Sequence, residues 1–426
     1  MRFVLATVIL CLLAHVLKKD DARNRLLTPA SIFTIFMSIM MICALLLENG
    51  EYGYHGYYWL IAAMIAINIG DLLATMVRPR SGRSNTFVVN TISICKLVLY
   101  VSVVLDLIAI YNYFQSGGIS HAAETAYEYY TSEATEATLF ENIVNQALGI
   151  TSMLISMLGG LRFVLVKEKR VTSFIVFIYP LINMLYSTQK LGIIVTTFYF
   201  LIGMLVGLLY QNKTIRLKAV WRLFKKYWFI IPAFAGLFVV SFIIRFGQFS
   251  VEVVRDSFRK LFTYAFGSVQ CFNAWLSTYT QAEYGLGINT FMGIPHALGL
   301  IDRVAGLYDE LYTVGVGNTN VFLAFRPLIE DYGIYGGLVF LLGLGLISGL
   351  SFDTFKRRKT LFSFFGLAIT YLYFIYSIIT SPYIYLNISA SFIMYCIAVK
   401  LYVLLGGKQY NAELQRQGGK PQLLRA

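Results

Sequence analysis

An arginine, a proline and two acidic residues stand together just before an uncharged apolar run that begins at Ile334. If a helix begins near Arg326-Pro327, where a proline suits the first turn, Arg326 and Glu330 lie one turn apart. Asp331 is then turned by about 100 degrees from Glu330, so one acid can orient the guanidinium while the other faces a ligand. A guanidinium keeps its charge, and its planar fork of donors fits diphosphate oxygens. The segment therefore predicts an anion site at the start of a helix.

Further basic residues in the segment 245–332 and in the short turn 187–190 are candidates for the same chemistry: Arg245, Arg255, Arg259, Lys260, Arg303 and Lys190. A helix would project Arg255 and Arg259 from one face, with Glu252 and Asp256 as a parallel acidic pair. A solvated helix has the same pattern, so ligand binding and surface pairing explain these two arginines equally well. Pairing with a nearby acid is the simpler reading for any single residue, whereas the whole group favours an anionic ligand.

The elements that must position these side chains are apolar helices. Of 426 residues, 58% are hydrophobic and 13% are charged, and the mean hydropathy is +0.66. Runs long enough to cross about 30 Å of hydrocarbon recur along the chain, and they lack the polar alternation of barrel strands. We predict an all-α polytopic membrane protein that forms a single domain over 1–426. About eleven spans are expected, at 2–17, 29–47, 57–77, 88–110, 147–166, 171–187, 191–210, 229–244, 333–352, 361–380 and 384–404.

Basic residues alternate between the segments that connect these spans. Segments 48–56 and 111–146 contain no Lys or Arg. Most of the 35 such residues lie in 18–28, 78–86, 167–170, 211–228, 353–359 and 405–426. By the positive-inside rule this second group is cytoplasmic, with the N-terminus outside and the C-terminus inside. The first span should stay attached, because its basic cluster follows the apolar run. The net charge of +13 then reflects topology and anionic lipid, not a nucleic-acid site.

Two outer segments are too long to be simple connections. Residues 111–146 form an acidic loop, and residues 245–332 carry aromatic clusters and glycines typical of short helices that lie on or dip into the membrane. The basic residues of 245–332 lie on the side where such residues are otherwise avoided. We therefore place the site in this second segment.

Other chemistry is sparse. Asp71 and Lys96 lie at comparable depth on antiparallel spans and are predicted to pair, although intramembrane charges also mark ion pathways. The cysteines form no disulfide framework, and neither a zinc-type Cys/His cluster nor a phosphate-binding loop is present in the sequence. No metal and no cofactor are expected.

The segment 318–333 resembles a family signature. Asn-Thr-Asn-Val-Phe at 318–322, followed by Arg-Pro-Leu-Ile-Glu-Asp-Tyr-Gly at 326–333, is similar to the Asn-Val-Tyr/Phe, Arg-Pro and Asp-Phe/Tyr-Gly motifs of bacterial oligosaccharide repeat-unit polymerases, which act in O-antigen and capsule assembly. Phe-Gly-Ser at 266–268, Phe-Asn at 272–273 and Asn-Thr-Phe at 289–291 add to the resemblance. It covers about residues 186–336, and elsewhere only the multi-span layout matches. The turn 187–190 departs from it, with Lys190 where relatives have a Gly-Arg pattern.

The resemblance implies a GT-C-like fold and a metal-independent glycosyl transfer at the periplasmic face of the bacterial inner membrane. A growing glycan would pass from undecaprenyl diphosphate to another lipid-linked repeat unit. A chain-length regulator and a flippase are implied partners.

The resemblance also implies site residues. Those for diphosphate and sugar are Arg245, Arg326, Arg259, Lys190, Arg255, Arg303, Asn318, Asn320 and Tyr264. Candidates for the base are Glu283, Asp302, Glu330, Asp331 and His296. The sequence does not choose among them, and orienting the guanidinium is favoured over base catalysis for Asp331. A lone loop histidine such as His296 is more often only a polar side chain.

Three alternatives remain open at this stage. A flippase or exporter would handle the same ligand without bond chemistry, but internal repeats, broken helices and midplane charges are not evident. An O-antigen ligase differs only in its acceptor. A membrane scaffold would not need the outer arginines.

Overall fold

The computed structural model describes residues 1–18, 25–48, 50–77, 91–118, 139–166, 168, 170–187, 191–211, 225, 230–246, 250–280, 283–301, 308, 310–394 and 397. This part of the chain is mostly helical, and six of its helices are long and apolar enough to cross a membrane: Pro29–Leu47, His55–Met76, Ile94–Gln115, Ile143–Leu165, Leu191–Tyr210 and Phe325–Arg358. Shorter apolar helices accompany them, at Arg2–Leu17, Val171–Leu185, Ala235–Ile244 and Phe362–Tyr376. The prediction of a helical, polytopic membrane protein is confirmed.

In chain order the elements are α1 (Arg2–Lys18), α2 (Pro29–Leu47), α3 (His55–Met76), α4 (Thr91–Gln115), α5 (Leu139–Leu165), α6 (Ile178–Ser187), α7 (Leu191–Tyr210), α8 (Ile230–Phe246), α9 (Val251–Thr278), α10 (Gly293–Ala297), β1 (Tyr312–Val314), β2 (Gly317–Thr319), α11 (Phe325–Arg358) and α12 (Leu361–Tyr376). Short 3-10 helices cover Arg25–Leu27, Val171–Phe177 and Pro382–Ile384, and residues 386–394 are also helical.

Two helix pairs form the most extensive contacts, α3 with α11 and α5 with α7. Glycines allow both pairs to approach closely. A Cβ atom at Gly70 would overlap the Leu342 carbonyl oxygen, and one at Gly160 would overlap the Phe200 carbonyl oxygen. Small residues at helix contacts are what packing within a bilayer requires, because lipid supplies no hydrophobic drive for helices to associate.

An aromatic core lies beneath the first turn of α11. The Phe325 ring lies 5.3 Å from Trp59 of α3, 6.0 Å from Phe33 of α2 and 6.2 Å from Phe272 of α9, measured between ring centroids. All four residues are buried. The start of α11 is therefore fixed against three other helices, and Arg326 is the next residue along the chain.

The start of α11 agrees with the prediction from Arg326-Pro327, but the helix is not continuous. Gly333 interrupts it with φ 72° and ψ 174°, a conformation in which a side chain would be strained. Beyond the kink, the Trp59 indole donates a hydrogen bond of 3.0 Å to the Ile334 carbonyl. The kink separates a short polar segment from the long apolar helix. The side-chain directions of the polar segment are therefore not set by the orientation of the membrane span.

The segment 245–332 is more ordered than the sequence predicted. Instead of short helices alone, it contains the 28-residue α9, which begins where Ser250 accepts a hydrogen bond from the Val253 backbone. It also contains an antiparallel hairpin of β1 and β2, which was not predicted. The Thr263 hydroxyl of α9 donates to the Val316 carbonyl in the hairpin turn. Most of the acidic loop, residues 119–138, lies outside the described residues.

A charged cluster lies at the far end of α3 and α11. Arg25 Nη2 lies 3.0 Å from Asp71 Oδ1 on α3 and 3.6 Å from Asp353 Oδ2 on α11. The predicted pairing of Asp71 with Lys96 is therefore wrong, and Lys96 is exposed. Ile334 and Asp353 are nineteen positions apart, about 29 Å along a helix, which is close to the thickness of a bilayer's hydrocarbon core.

Candidate anion site

Arg326 lies in the first turn of α11 and is buried, with only 5% of its surface exposed. Its guanidinium carbon lies 3.6 Å from the ring centroid of Tyr308, 4.2 Å from that of Phe322 and 5.2 Å from that of Trp275. Aromatic faces attract a cation most strongly where water is excluded. We call Tyr308, Phe322 and Trp275 the aromatic cage.

Two carboxylates neutralise the caged guanidinium from different directions. Glu330 Oε1 accepts a hydrogen bond of 2.9 Å from Arg326 Nε, and Glu310 Oε2 lies 3.0 Å from Nη1. The other oxygen of Glu330 accepts the Tyr308 hydroxyl at 2.9 Å. Burial raises the pKa of Tyr308 well above its ordinary value, so this hydroxyl stays protonated and remains a donor. Glu330 thus joins the arginine to one wall of its cage.

One edge of the guanidinium is left incompletely satisfied. Arg326 Nη1 is buried and makes no hydrogen bond within the described part of the chain, although Glu310 lies within ion-pair distance. The alignment of that contact is therefore poor. The Glu310 side chain is 59% exposed, whereas that of Glu330 is 21% exposed. A buried, charged donor that faces an exposed carboxylate is an arrangement that an anionic ligand can complete.

Asp331 has a different task from the one predicted. Its Oδ1 accepts hydrogen bonds of 3.0 Å from both the backbone and the side-chain amide of Asn289, and its Oδ2 accepts one of 2.6 Å from the Thr290 backbone. It makes no hydrogen bond or ion pair with Arg326 among the interactions the structure describes. Glu330, not Asp331, orients the guanidinium. Asp331 instead fastens the loop 285–292, whose Gly285 and Leu286 amides also donate to the carbonyls of Glu330 and Asp331.

The second half of α9 ties the cage to the helix bundle. Asn273 accepts a hydrogen bond from the Gly56 backbone at 2.9 Å and donates to the Gly53 carbonyl at 2.8 Å, which fixes the start of α3. The Cys271 thiol contacts the Thr319 carbonyl of β2, and burial raises its pKa to about 12. The segment 266–273, which carries part of the family resemblance, thus has a structural role beside Trp275.

The remaining predicted residues are not gathered at Arg326. Arg255 and Arg259 are exposed on the first half of α9. Arg259 is sixteen positions from Trp275, roughly 24 Å along the helix axis. Glu283 and His296 are exposed and lie on either side of the loop that Asp331 fastens, with His296 in α10. Among the described side chains, the predicted basic group therefore separates into one buried arginine and three exposed residues on the first half of α9, Arg255, Arg259 and Lys260.

The two predicted asparagines are exposed, and only one has a described contact with the cage. Asn320 donates a hydrogen bond of 3.1 Å to the Tyr308 carbonyl. Asn318 lies in β2 opposite Thr313. Lys190, Arg303 and Asp302 lie outside the described residues, as do the side chains of Arg245 in α8 and Tyr264 in α9.

Sequence reasoning missed the parts of the site that come from distant segments. Tyr308 and Glu310 were not singled out, and Trp275 and Phe322 were not assigned to a cation. No fixed spacing relates 275, 308, 322 and 326, so the cage becomes visible only after α9 and the hairpin are packed. A partial signal was the placement of aromatic residues on both sides of the Gly315–Gly317 turn.

Comparisons with protein-family models, curated proteins and solved structures gave no match. The resemblance in 318–333 stays a prediction. Among the described residues, no group of three His, Cys, Asp or Glu side chains is placed to hold a metal ion. The arrangement as it stands suits the binding of an anion by a guanidinium.

Proposed function

We propose that this chain is a glycosyltransferase of the bacterial inner membrane that polymerises undecaprenyl-diphosphate-linked oligosaccharide repeat units, as in O-antigen or related surface polysaccharide synthesis. The observation that carries the proposal is the buried Arg326 guanidinium. It is caged by three rings, held on one side by Glu330, and contacted on the other by the exposed carboxylate of Glu310. The family resemblance of the same segment supports the choice of a lipid-linked glycan.

In the proposed reaction an acceptor sugar hydroxyl attacks the anomeric carbon of the donor. The bond between that carbon and the diphosphate oxygen breaks, and the lipid diphosphate leaves with the bonding electrons. Arg326 stabilises the charge that develops on the departing oxygen, and the aromatic cage strengthens this interaction by excluding water. The proton of the acceptor hydroxyl passes to a base, for which Glu283 and His296, which flank the loop 285–292, are the exposed candidates.

The proposed topology has eleven spans in a GT-C-like arrangement, with the N-terminus in the periplasm and the C-terminus in the cytoplasm. Six long and four shorter apolar helices of the described chain support a count near this. The alternation of basic segments supports the orientation. In this orientation Arg326 lies at the periplasmic end of α11 and Arg25 at the cytoplasmic end. A flippase would supply the substrate, and a chain-length regulator would act on the same product.

The test is polymerisation by the purified chain in liposomes, supplied with a lipid-diphosphate-linked repeat unit and no nucleotide. A ladder of longer glycans is expected from the wild type and from Glu252→Gln, a substitution at an exposed residue near the start of α9. Arg326→Ala should give unextended donor. If folded wild-type protein leaves the donor unextended, the proposal fails. Movement of intact donor across the bilayer would indicate a flippase, and transfer only to an added lipid core would indicate a ligase.

A further inference from the structure

Glu310 makes a contact that the proposed function leaves unexplained. Its carboxylate lies 3.0 Å from Arg326 Nη1, but Nη1 makes no hydrogen bond within the described chain. We propose that Glu310 occupies the position of a substrate phosphate, and that a diphosphate displaces it from Arg326 when it binds. This inference rests on the proposed role of Arg326 as a diphosphate-binding residue. It adds that Glu310 competes with the diphosphate for Arg326.

The two carboxylates on Arg326 differ in how firmly they are held. Glu330 is one helical turn from Arg326, uses both oxygens, and bonds to Arg326 Nε and the Tyr308 hydroxyl. Glu310 lies in the connection that leads to β1, and its one described ion pair is with Arg326. Its side chain is 59% exposed, so water can solvate the carboxylate as soon as it leaves. Only the Glu310 partner of this ion pair is solvated, so the carboxylate can leave for water provided that another anion replaces it on the buried guanidinium.

A phosphate oxygen would bind better than Glu310 at the same edge of the guanidinium. An unconstrained oxyanion can align with the fork of donors, whereas the Glu310 oxygen lies at a suitable distance without hydrogen-bond geometry. The aromatic cage holds the guanidinium in place from three sides, so exchange needs no movement of Arg326. Glu330 stays bound throughout and keeps the fork oriented. The fitting ligand is thus a diphosphate group, either lipid-linked or free.

Binding of inorganic pyrophosphate to the purified full-length protein tests this exchange, with calorimetry as the readout. Removing the competitor by Glu310→Gln should tighten binding roughly two- to fivefold or more, since an ion pair with one solvated partner is worth about as much as a surface pair or somewhat more. Glu252→Gln is the matched control, because it changes the net charge equally at an exposed position near the start of α9. It should leave the affinity unchanged. Glu330→Gln should weaken binding, because Arg326 loses its fixed partner.

The variants distinguish failure of the displacement inference from failure of the Arg326 site. Unchanged or weaker binding by Glu310→Gln, with Arg326→Gln abolishing binding, overturns the displacement inference and leaves the proposed role of Arg326 intact. Equal tightening by Glu310→Gln and Glu252→Gln also overturns it, because net charge alone would explain the effect. Retained binding by a folded Arg326→Gln protein overturns the Arg326 site and with it the inference. Undecaprenyl diphosphate in nanodiscs should compete with pyrophosphate if the lipid-linked group uses the site, and no competition would restrict the site to free anions.

Discussion

Arg326 and Arg25 are two buried arginines at opposite ends of α11, and each lies between two carboxylates. Arg25 is 7% exposed and is shared by Asp71 and Asp353, which come from two different spans. Arg326 is 5% exposed, and one of its two partners, Glu310, is mostly in water. Three aromatic rings surround Arg326, whereas within the described part of the chain Arg25 has one cation–ring contact, with Phe352 at 6.0 Å.

The difference indicates that Arg25 serves structure at one end, and it supports the proposed recognition role of Arg326 at the other. The partners of Arg25 are aspartates on two packed helices, so its charge is neutralised by the ion pairs that join α3 to α11. Arg326 is held by Glu330 and three aromatic rings, and its outer edge faces the exposed carboxylate of Glu310. A rigid charge with an exchangeable partner is suited to a ligand, and a charge shared by two helices is suited to holding them together.

The largest expected effect is on stability, from Arg25→Ala. This substitution leaves Asp71 buried without the arginine that neutralises it, and breaking a buried pair from one side costs about 3–5 kcal/mol. We expect a lower unfolding midpoint in detergent and near-normal polymerisation per folded molecule. Lys96→Ala is the control, because Lys96 is exposed, and it should leave the midpoint unchanged. If the two substitutions lowered the unfolding midpoint equally, the ion pairs of Arg25 would not stabilise the fold.

Arg326→Ala should have the converse effect, on turnover more than on the unfolding midpoint. Loss of one donor to a developing oxyanion lowers turnover by roughly 100- to 1000-fold. Arg326→Lys keeps the charge but not the fork, and we expect a loss of about tenfold or more. The measurement is the initial rate of chain extension, normalised to monodisperse protein. A fully active Lys variant would show that fork geometry is irrelevant at this site.

Asp331 supports the Arg326 end without touching the guanidinium, and this predicts an effect on the loop 285–292. Asp331→Ala removes the acceptor of three N–H groups, worth about 1–3 kcal/mol of local stability for each buried donor left unpaired. Amide hydrogen exchange in 285–292 should become faster, while exchange in α3 should not change. Asp331→Asn keeps one acceptor oxygen and should be intermediate. Unchanged exchange in Asp331→Ala would show that the loop is held by its other contacts.

The sequence was sufficient for features that depend on nearest neighbours along the chain. The helix start at Arg326-Pro327 and the pairing of Arg326 with Glu330 follow from the spacing of one helical turn. The membrane helices follow from the length of the apolar runs. Contacts between distant segments could not be predicted in this way. Asp71 pairs with Arg25 and not with Lys96 because the 3-10 turn at Arg25–Leu27 lies against α3 and α11. The hairpin and the cage depend on how α9 packs against distant segments, and a local sequence pattern does not predict that packing.

The smallest expected effect is that of the surface arginines, and it tests whether the site is one arginine or a group. Arg255 and Arg259 are exposed, and Arg259 is about 24 Å along α9 from Trp275 of the cage. An exposed charge at that distance is largely screened at physiological salt. Arg255→Ala and Arg259→Ala should each change the rate of chain extension by less than about twofold. If Arg259→Ala lost as much activity as Arg326→Ala, the anion would be bound along the exposed face of α9. The buried Arg326 guanidinium would then not be the feature that makes this end of the molecule a binding site.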